Sequence, residues 1–511
     1  MIESSPKIPD VLKDLLQQHV VSPLDVVFAR RHTPPNTEKA MLFLAASSAL
    51  WRHGYPFLCL LEDRLVPSVP GLSEQVFFQG FQEFSKNSSE ELFVVAEKKL
   101  YLRSLYETRK KLFQKLTRVS LAQPMFPSLK HLPKELSQAQ AHTLQQVSQR
   151  CFSIVCGGPG TGKTFLAIQL IVALINENPH MRIIVVSPTG KVAAHFRKVL
   201  ANYSLPDTAI AVHTIHHFLQ EYANQQYSTM DVLIVDEGSM VDFHLLHSLV
   251  QTLPGRYTPC GKVLSASMII FGDKNQLPPI GIGAGNPLQD LIETFPESTM
   301  HLEVSYRAKT QDIQEIAQAI LSHQMVPFSP LPPFSVAIEL FADAFQRALS
   351  RGVSLCVLSP MRLGVWGYVN LNRFIHHELQ KRNPLLPVPI IVSNRYETWG
   401  LCNGDTGVLS VQQQKLMFSQ EIVIDAQAFS NYTYNYAMSV HKSQGSEYDE
   451  VLVVVPKGCE IFESSLLYTA VTRAKSKLSI WADAETLTKI IKKPRKYSFQ
   501  GLDKALALMK T

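Results

Sequence analysis

Residues 157–164 read Gly157-Gly158-Pro159-Gly160-Thr161-Gly162-Lys163-Thr164. Two glycines frame four residues and are followed by Lys and a hydroxyl residue, the spacing of a phosphate-binding loop. The flanks agree with that reading. Phe152 to Cys156 is a short apolar run of strand length, and Phe165 onward opens an apolar helix. Between a strand and a helix, glycines let backbone N–H groups turn inward around a phosphate, and the helix N-terminus adds its positive dipole end. Lys163 would reach the terminal phosphates of a nucleotide, and the Thr164 hydroxyl would hold Mg2+. The stretch therefore predicts a nucleoside triphosphate site in an α/β domain.

Working outward, the next apolar strand (182–186) ends in Ser187-Pro188-Thr189-Gly190-Lys191, a polar loop where open α/β sheets place ligands. Ala211 to His216 is another short polar cluster after an extended segment. The strand from Asp231 to Val235 ends in Asp236-Glu237. Two carboxylates there can divide the work: Asp236 on the magnesium ion, Glu237 polarising the attacking water as general base. A fourth strand from Ser267 leads to a polar loop in which Gln276 can sense the terminal phosphate. Upstream, a glutamine about twenty residues ahead of the loop can bond both edges of an adenine. Gln140 is the candidate, with Gln138, Gln145 and Gln146 close by.

The second half repeats the texture more faintly, with buried strands at 354–360, 451–456 and 478–481. Between about 383 and 436 short alternating runs and the turns at Asn403-Gly404 and Asp405-Thr406-Gly407 indicate an all-β insertion. Residues 1–118 hold apolar helices, a strand near Phe57–Leu61 and a basic helix from Glu107 to Leu116, but no catalytic cluster. Prolines at 124, 127 and 133 mark a linker.

Bulk properties bound the function. A chain of 511 residues has room for about three domains. A hydrophobic share of 46% with 18% charged residues fits a globular protein with ordinary cores. The net charge of +6 permits nucleic-acid binding without requiring it. Seven cysteines occur singly, with no Cys-x-x-Cys pair, which argues against a zinc site and a disulfide framework and suits a reducing cytoplasm. No signal peptide or membrane-length apolar run is visible, so a cytoplasmic location is expected. No acidic cluster with a partnering Lys stands outside the ATP motifs, so nuclease chemistry is not expected of this chain.

The order of these motifs, continued by Tyr306-Arg307, resembles superfamily 1 helicases. Val235 to Asp242, Tyr436 to Asp449 and Leu467 to Ala474 narrow the resemblance to the RecD family. The likeness runs from about Leu136 to Asp483 and is fainter before residue 118. Gly238 stands where the family usually has Ala. The resemblance implies an α/β fold of two RecA-like parallel-sheet domains (136–298 and 299–511), with a β-rich insertion at about 383–436. A mostly helical partner-docking module (1–118) and a linker (119–135) would precede them. It also implies that Tyr306 stacks on the base and Glu447 holds the ribose, while Arg307 and Arg473 close on the terminal phosphate as arginine fingers. Pro188, Thr189, His213, Thr214, Ser439, His441, Lys442 and Ser443 would touch DNA. The implied activity is ATP-dependent 5′→3′ DNA unwinding within a helicase-nuclease complex that acts on broken DNA ends, beside the beta and gamma subunits of exodeoxyribonuclease V. A stand-alone RecD-like or conjugative helicase would be marked by a longer N-terminal region. A structural subunit with a lapsed ATPase would have lost some of the ATP-site residues that are present here.

Overall fold

A computed structural model describes residues 8–493, apart from 61–63, 68, 89–91, 126–128, 130, 204, 207–208, 224–229, 258–262, 305–310, 394–398, 402 and 419–421. Tyr306 and Arg307 thus lie outside the described residues.

The strand Phe152–Gly157 is buried along its whole length and sits inside a six-stranded sheet. In spatial order the strands are Thr299–Leu302, Phe152–Gly157, Ser267–Gly272, Val232–Val235, Ile183–Ser187 and Ile210–Thr214, with every pairing parallel. Central strands of a parallel sheet are covered by helices on both faces, which is why they read as unbroken apolar runs. The phosphate loop, Asp236 and Asp273 all follow C-terminal strand ends, so the sheet brings them to one edge.

The second sheet is also parallel, in the order Ser329–Pro330, Ala474–Ala482, Tyr448–Val455, Leu355–Ser359 and Ala437–Ser439. Between its strands stands the expected insertion, a five-stranded antiparallel sheet of Val423–Asp425, Lys415–Met417, Thr406–Ser410, Val388–Val392 and Tyr432–Tyr434. The α/β architecture of two parallel-sheet domains is borne out.

The N-terminal region carries helices Asp10–Gln17, Pro23–His32, Glu38–Arg52 and Glu74–Asn87, and a four-stranded antiparallel sheet of which the sequence indicates only the strand near Phe57–Leu61. Its centre is Phe43, whose ring lies 5.5–6.0 Å from those of Phe77, Phe81, Phe84 and Phe93. The helices 38–52 and 74–87 approach so closely at Gly80 that a Cβ there would run into the Lys39 carbonyl.

The basic helix is longer than expected, spanning Arg103–Ser120 and running through the anticipated boundary at 118. Its buried Leu112, Phe113, Leu116 and Val119 join one core with Phe152, Leu233 and Phe243 of the first parallel-sheet domain. Arg109 lies on that buried face. Its guanidinium meets the Asp290 carboxylate at 3.3 Å and packs 5.1 Å and 5.3 Å from the rings of Phe113 and Phe243. Part of the anticipated linker is ordered as well: Gln123–Pro124 pairs in parallel with Leu264 and Ser265.

Candidate active site

The loop after Phe152–Gly157 turns on two residues with positive φ, Gly160 at 76° and Gly162 at 80°. Those values favour glycine. Gly162 caps the helix Lys163–Glu177, so that helix begins at the lysine. The Lys163 ammonium lies over the loop and donates to the carbonyls of Gly157 (2.7 Å) and Gly158 (3.0 Å). Thr161 fixes the turn by donating to the Gly158 carbonyl at 2.8 Å. A Cβ on Gly157 would press on the Thr161 hydroxyl oxygen at 2.6 Å, which ties that glycine to the tightness of the loop.

Asp236 is buried beside this loop, and its Oδ1 accepts the Glu237 backbone N–H at 3.0 Å. Burial pushes its carboxyl up to about 7, and the neighbouring Glu237 charge adds to this. The Glu237 N–H and the Lys163 ammonium oppose the shift. Glu237 has φ 54° although it is not glycine. Left-handed backbone at such a residue costs energy and is a recurrent feature of functional sites. Two buried oxygens, Glu237 Oε2 and Gln276 Oε1, accept no hydrogen bond among the described residues. An elevated carboxyl and two buried acceptors without donors form an oxygen-rich setting that suits a hydrated Mg2+, a hard cation that takes oxygen ligands. Thr164 and Asp236 are the residues that would hold it. The ion would supply charge neutralisation on the phosphates.

The second parallel-sheet domain closes the site from the other side. Tyr468, on the helix Ser464–Val471, donates its hydroxyl to Asp273 Oδ2 at 2.9 Å, and the Tyr468 hydroxyl oxygen stands 3.4 Å from where a Cβ of Gly158 would be. Burial, with the Asp273 charge beside it, raises the Tyr468 pKa far above the ordinary phenol value, so the hydroxyl stays a donor. One residue on, the Thr469 hydroxyl accepts the Leu277 N–H at 2.8 Å, while Gln444 Nε2 donates to the Leu277 carbonyl at 3.1 Å. These three cross-domain bonds pin the loop that carries Gln276. A cleft of about 400 Å³ opens beside the phosphate loop, with Gly158, Pro159 and Thr161 on one wall and Tyr468 and Thr472 on the other.

The remaining expected residues are placed unevenly. Gln140 is buried, and its Oε1 accepts the Ser137 N–H at 3.1 Å in a capping box that starts the helix Gln138–Ser148. Its carbonyl is thus engaged in holding the helix end. Arg473 is buried in its own domain, donating to the Thr469 carbonyl (3.0 Å) and the Ser446 carbonyl (3.4 Å). Those two bonds engage two of the guanidinium's five N–H groups. Glu447 is exposed.

Among the residues expected to touch DNA, Thr189 caps the helix Gly190–Leu200, and Lys442 is exposed with its ammonium 5.3 Å from the Tyr368 ring centre. Ser439 accepts the Lys442 N–H at 3.2 Å. His441 borders a second cavity shared with Gln276, and burial lowers its pKa, which favours the neutral imidazole. Ser443 is fully buried and its hydroxyl donates to the Val440 carbonyl at 2.7 Å, so its side chain faces the fold. Pro188 is half-buried ahead of Thr189. His213 and Thr214 end the edge strand, where burial lowers the His213 pKa against the pull of Glu221.

Asp273 and Tyr468 were missed as site residues. Asp273 had a signal, since it ends an apolar strand as Asp236 does. Tyr468 had none, because its partner is far away in the sequence.

Residues 135–326 match the AAA domain family, and residues 434–481 match the UvrD-like helicase C-terminal domain. The RecBCD enzyme subunit RecD of Buchnera aphidicola subsp. Schizaphis graminum is 22% identical over 503 residues, covering 77% of this chain and 82% of that protein. The chain is thus similar to RecD over most of its length. The ATP-dependent RecD2 DNA helicase of Deinococcus radiodurans is 28% identical over 415 residues, covering 75% of this chain but only 55% of that protein. Among solved structures, a Pif1 helicase from Bacteroides in complex with ADP-AlF3 and single-stranded DNA aligns with TM-score 0.47 and 16% identity, over 74% of this chain and 98% of that one. The matched spans take in the phosphate loop, Asp236 and Gln276 on one side and Gln444, Tyr468 and Arg473 on the other. No described helix is long and apolar enough to cross a membrane.

Proposed function

We propose that this chain is an ATP-driven DNA helicase that moves 5′→3′ along single-stranded DNA in the cytoplasm, as the RecD-like subunit of a helicase-nuclease complex with exodeoxyribonuclease V beta and gamma subunits. Its work would lie in repair and recombination at broken DNA ends. The observation that carries the reading is the Tyr468–Asp273 bond at 2.9 Å, which seats a helix of the second domain against the phosphate loop of the first. A nucleotide bound there has both domains as walls, so binding and hydrolysis change how the domains meet. DNA held across both domains is then moved by that cycle.

In this reading the loop N–H groups and Lys163 bind the phosphates, Glu237 takes a proton from the attacking water, and Gln276 reports the terminal phosphate. Arg307 and Arg473 meet the charge that develops in the transition state. Mg2+, held by Thr164 and Asp236, neutralises phosphate charge when bound. The test is unwinding of partial duplexes by the purified chain. ATP-dependent separation of duplexes with 5′ tails, absent in Lys163→Gln, is expected; activity confined to 3′ tails removes the polarity. A second reading is a stand-alone helicase, since the RecD2 protein matches at the same 28% identity as the RecD subunit of Mycobacterium tuberculosis. Purification from native extract separates the two: a stable complex with beta and gamma subunits supports the first, and a lone active chain the second.

A further inference from the structure

The strand Ile210–Thr214 forms one edge of the first parallel sheet, and the helix Ile215–Ala223 follows it directly. Spacing of four along that helix sets Glu221 beside His217 on one face. His213, four residues before His217 and near the strand's end, lands on the same face. His217 Nε2 lies 3.1 Å from Glu221 Oε1, and His213 Nε2 lies 3.8 Å from Glu221 Oε2. The two imidazole rings stand 5.1 Å apart with their planes at 76°. One donor atom from each of the three residues lies within 4.8 Å of the other two.

We infer that His213, His217 and Glu221 form a binding site for a divalent cation of the zinc type. A simple ion pair between His217 and Glu221 uses one ring and one carboxylate oxygen. A second imidazole, that of His213, directs its Nε2 at the other oxygen, which accepts no hydrogen bond among the described residues. Zinc–nitrogen and zinc–oxygen bonds of about 2.0–2.2 Å put neighbouring ligands of a tetrahedral ion roughly 3.4 Å apart, and His217 Nε2 and Glu221 Oε1, at 3.1 Å, stand close to that spacing. Two imidazoles and one carboxylate suit Zn2+, Co2+ or Ni2+, whereas Mg2+ and Ca2+ prefer oxygen ligands. The site is therefore chemically distinct from the oxygen-lined setting at Asp236. Cysteine spacing speaks only against thiolate zinc sites, and this donor set contains no cysteine.

All three side chains keep partial exposure, 17% for His213, 37% for His217 and 20% for Glu221, so an ion can enter from solvent. Three protein ligands leave a coordination position for water. The Arg197 charge bears on His213 and opposes a cation, but Arg197 is exposed and screened by salt. Affinity should accordingly fall below that of a closed four-ligand site. An ion here would fasten the strand end to the helix whose first turn Thr214 already caps, its hydroxyl accepting the His217 N–H at 3.3 Å. It would also withdraw His213 from DNA, a consequence that rests on the proposed function, whereas the binding does not.

The test uses the full chain, stripped with chelator and kept in excess Mg2+ so that oxygen sites are filled. Co2+ is titrated and its visible ligand-field absorption followed, then Zn2+ is added. One equivalent of Co2+ with an absorption band that Zn2+ abolishes is expected. His217→Ala and Glu221→Gln should each weaken binding at least about tenfold, since even outer-shell losses at metal sites cost that much. Melting curves in metal-free buffer establish that both variants are folded. Absence of a band in the wild-type chain, or the same band and affinity in folded His217→Ala, overturns the site. Zn2+ should also lower single-stranded DNA affinity in the wild-type chain but not in Glu221→Gln. Unchanged DNA affinity with metal bound would remove the link to DNA while the cation site stands.

Discussion

Lys163 spans the phosphate loop by bonding two of its carbonyls, so its loss leaves the surrounding core filled while removing a point charge from the nucleotide's phosphates. Lys163→Gln should therefore keep the wild-type melting curve and lose ATP hydrolysis by at least about a hundredfold, read in a DNA-stimulated phosphate-release assay. Turnover near wild type would remove the loop from the reaction. Arg473 calls for a different measurement, because its guanidinium is anchored on the Thr469 and Ser446 carbonyls of its own domain. Arg473→Ala should hold nucleotide affinity and lose kcat, as a group does that acts on developing charge. If affinity fell and kcat held, the residue would be a ground-state contact. Tyr468→Phe deletes a buried donor and leaves Asp273 Oδ2 without it. A cost of about 1–3 kcal/mol is expected, seen as a lower melting temperature together with slower turnover. An unchanged melt and rate would show that the cross-domain bond contributes nothing.

At the scale of elements, legibility in the sequence tracked the distance over which each signal acts. The strands 152–157, 183–187, 232–235 and 267–272 were readable because burial on both faces writes a continuous apolar run, and the loops that bear Lys163 and Asp236 follow them directly. The strands Leu65–Val66, Phe93–Ala96 and Lys99–Leu102 are two to four residues long, too short for an alternating pattern to show, and exist through pairing with one another and with Leu58–Leu60. The contact of Tyr468 with Asp273 was invisible for the same reason, since it depends on how two domains meet.

The helix Pro23–His32 illustrates a local device with a pH signature. Asp25 is buried and accepts from the Ser22 N–H (2.7 Å), the Ser48 hydroxyl (2.8 Å) and Arg52 (2.9 Å). Burial works to raise its pKa, but the hydrogen bonds from Arg52, Ser22 and Ser48 together hold it below the usual carboxylate value. A depressed folded pKa stabilises the fold above the unfolded value of about 3.9, and the contribution disappears as pH falls through the folded pKa. Asp25→Asn should thus be less stable at neutral pH, by about 1–3 kcal/mol, and show a shallower loss of stability below about pH 4. Urea melts across a pH series check both limbs; parallel curves would contradict the assignment.

Across the whole molecule, the N-terminal region and the first parallel-sheet domain are not separable at the boundary that the prolines suggested. Removing residues 1–122 would strip Leu112, Phe113 and Leu116 from the shared core, each worth about 1.5–3 kcal/mol of burial. It would also leave the Asp290 carboxylate buried without Arg109. Losing one partner of a buried ion pair is strongly destabilising. A chain starting at Gln123 should therefore be insoluble or melt far below the intact protein, and failure of such a fragment to bind partners would say nothing about docking. The docking proposal needs surface substitutions instead. On the helix Pro23–His32, Leu24 is 72% exposed and Val27 62% exposed, two apolar side chains that the module's own Phe43-centred core does not use. Leu24→Asp with Val27→Asp should leave DNA-stimulated ATPase activity and the melting temperature close to wild type, since surface changes of this kind usually fall within about 0.5 kcal/mol. The same double variant should fail to co-purify with the beta and gamma subunits. If it assembled with them as the intact chain does, the docking surface would have to lie away from this helix.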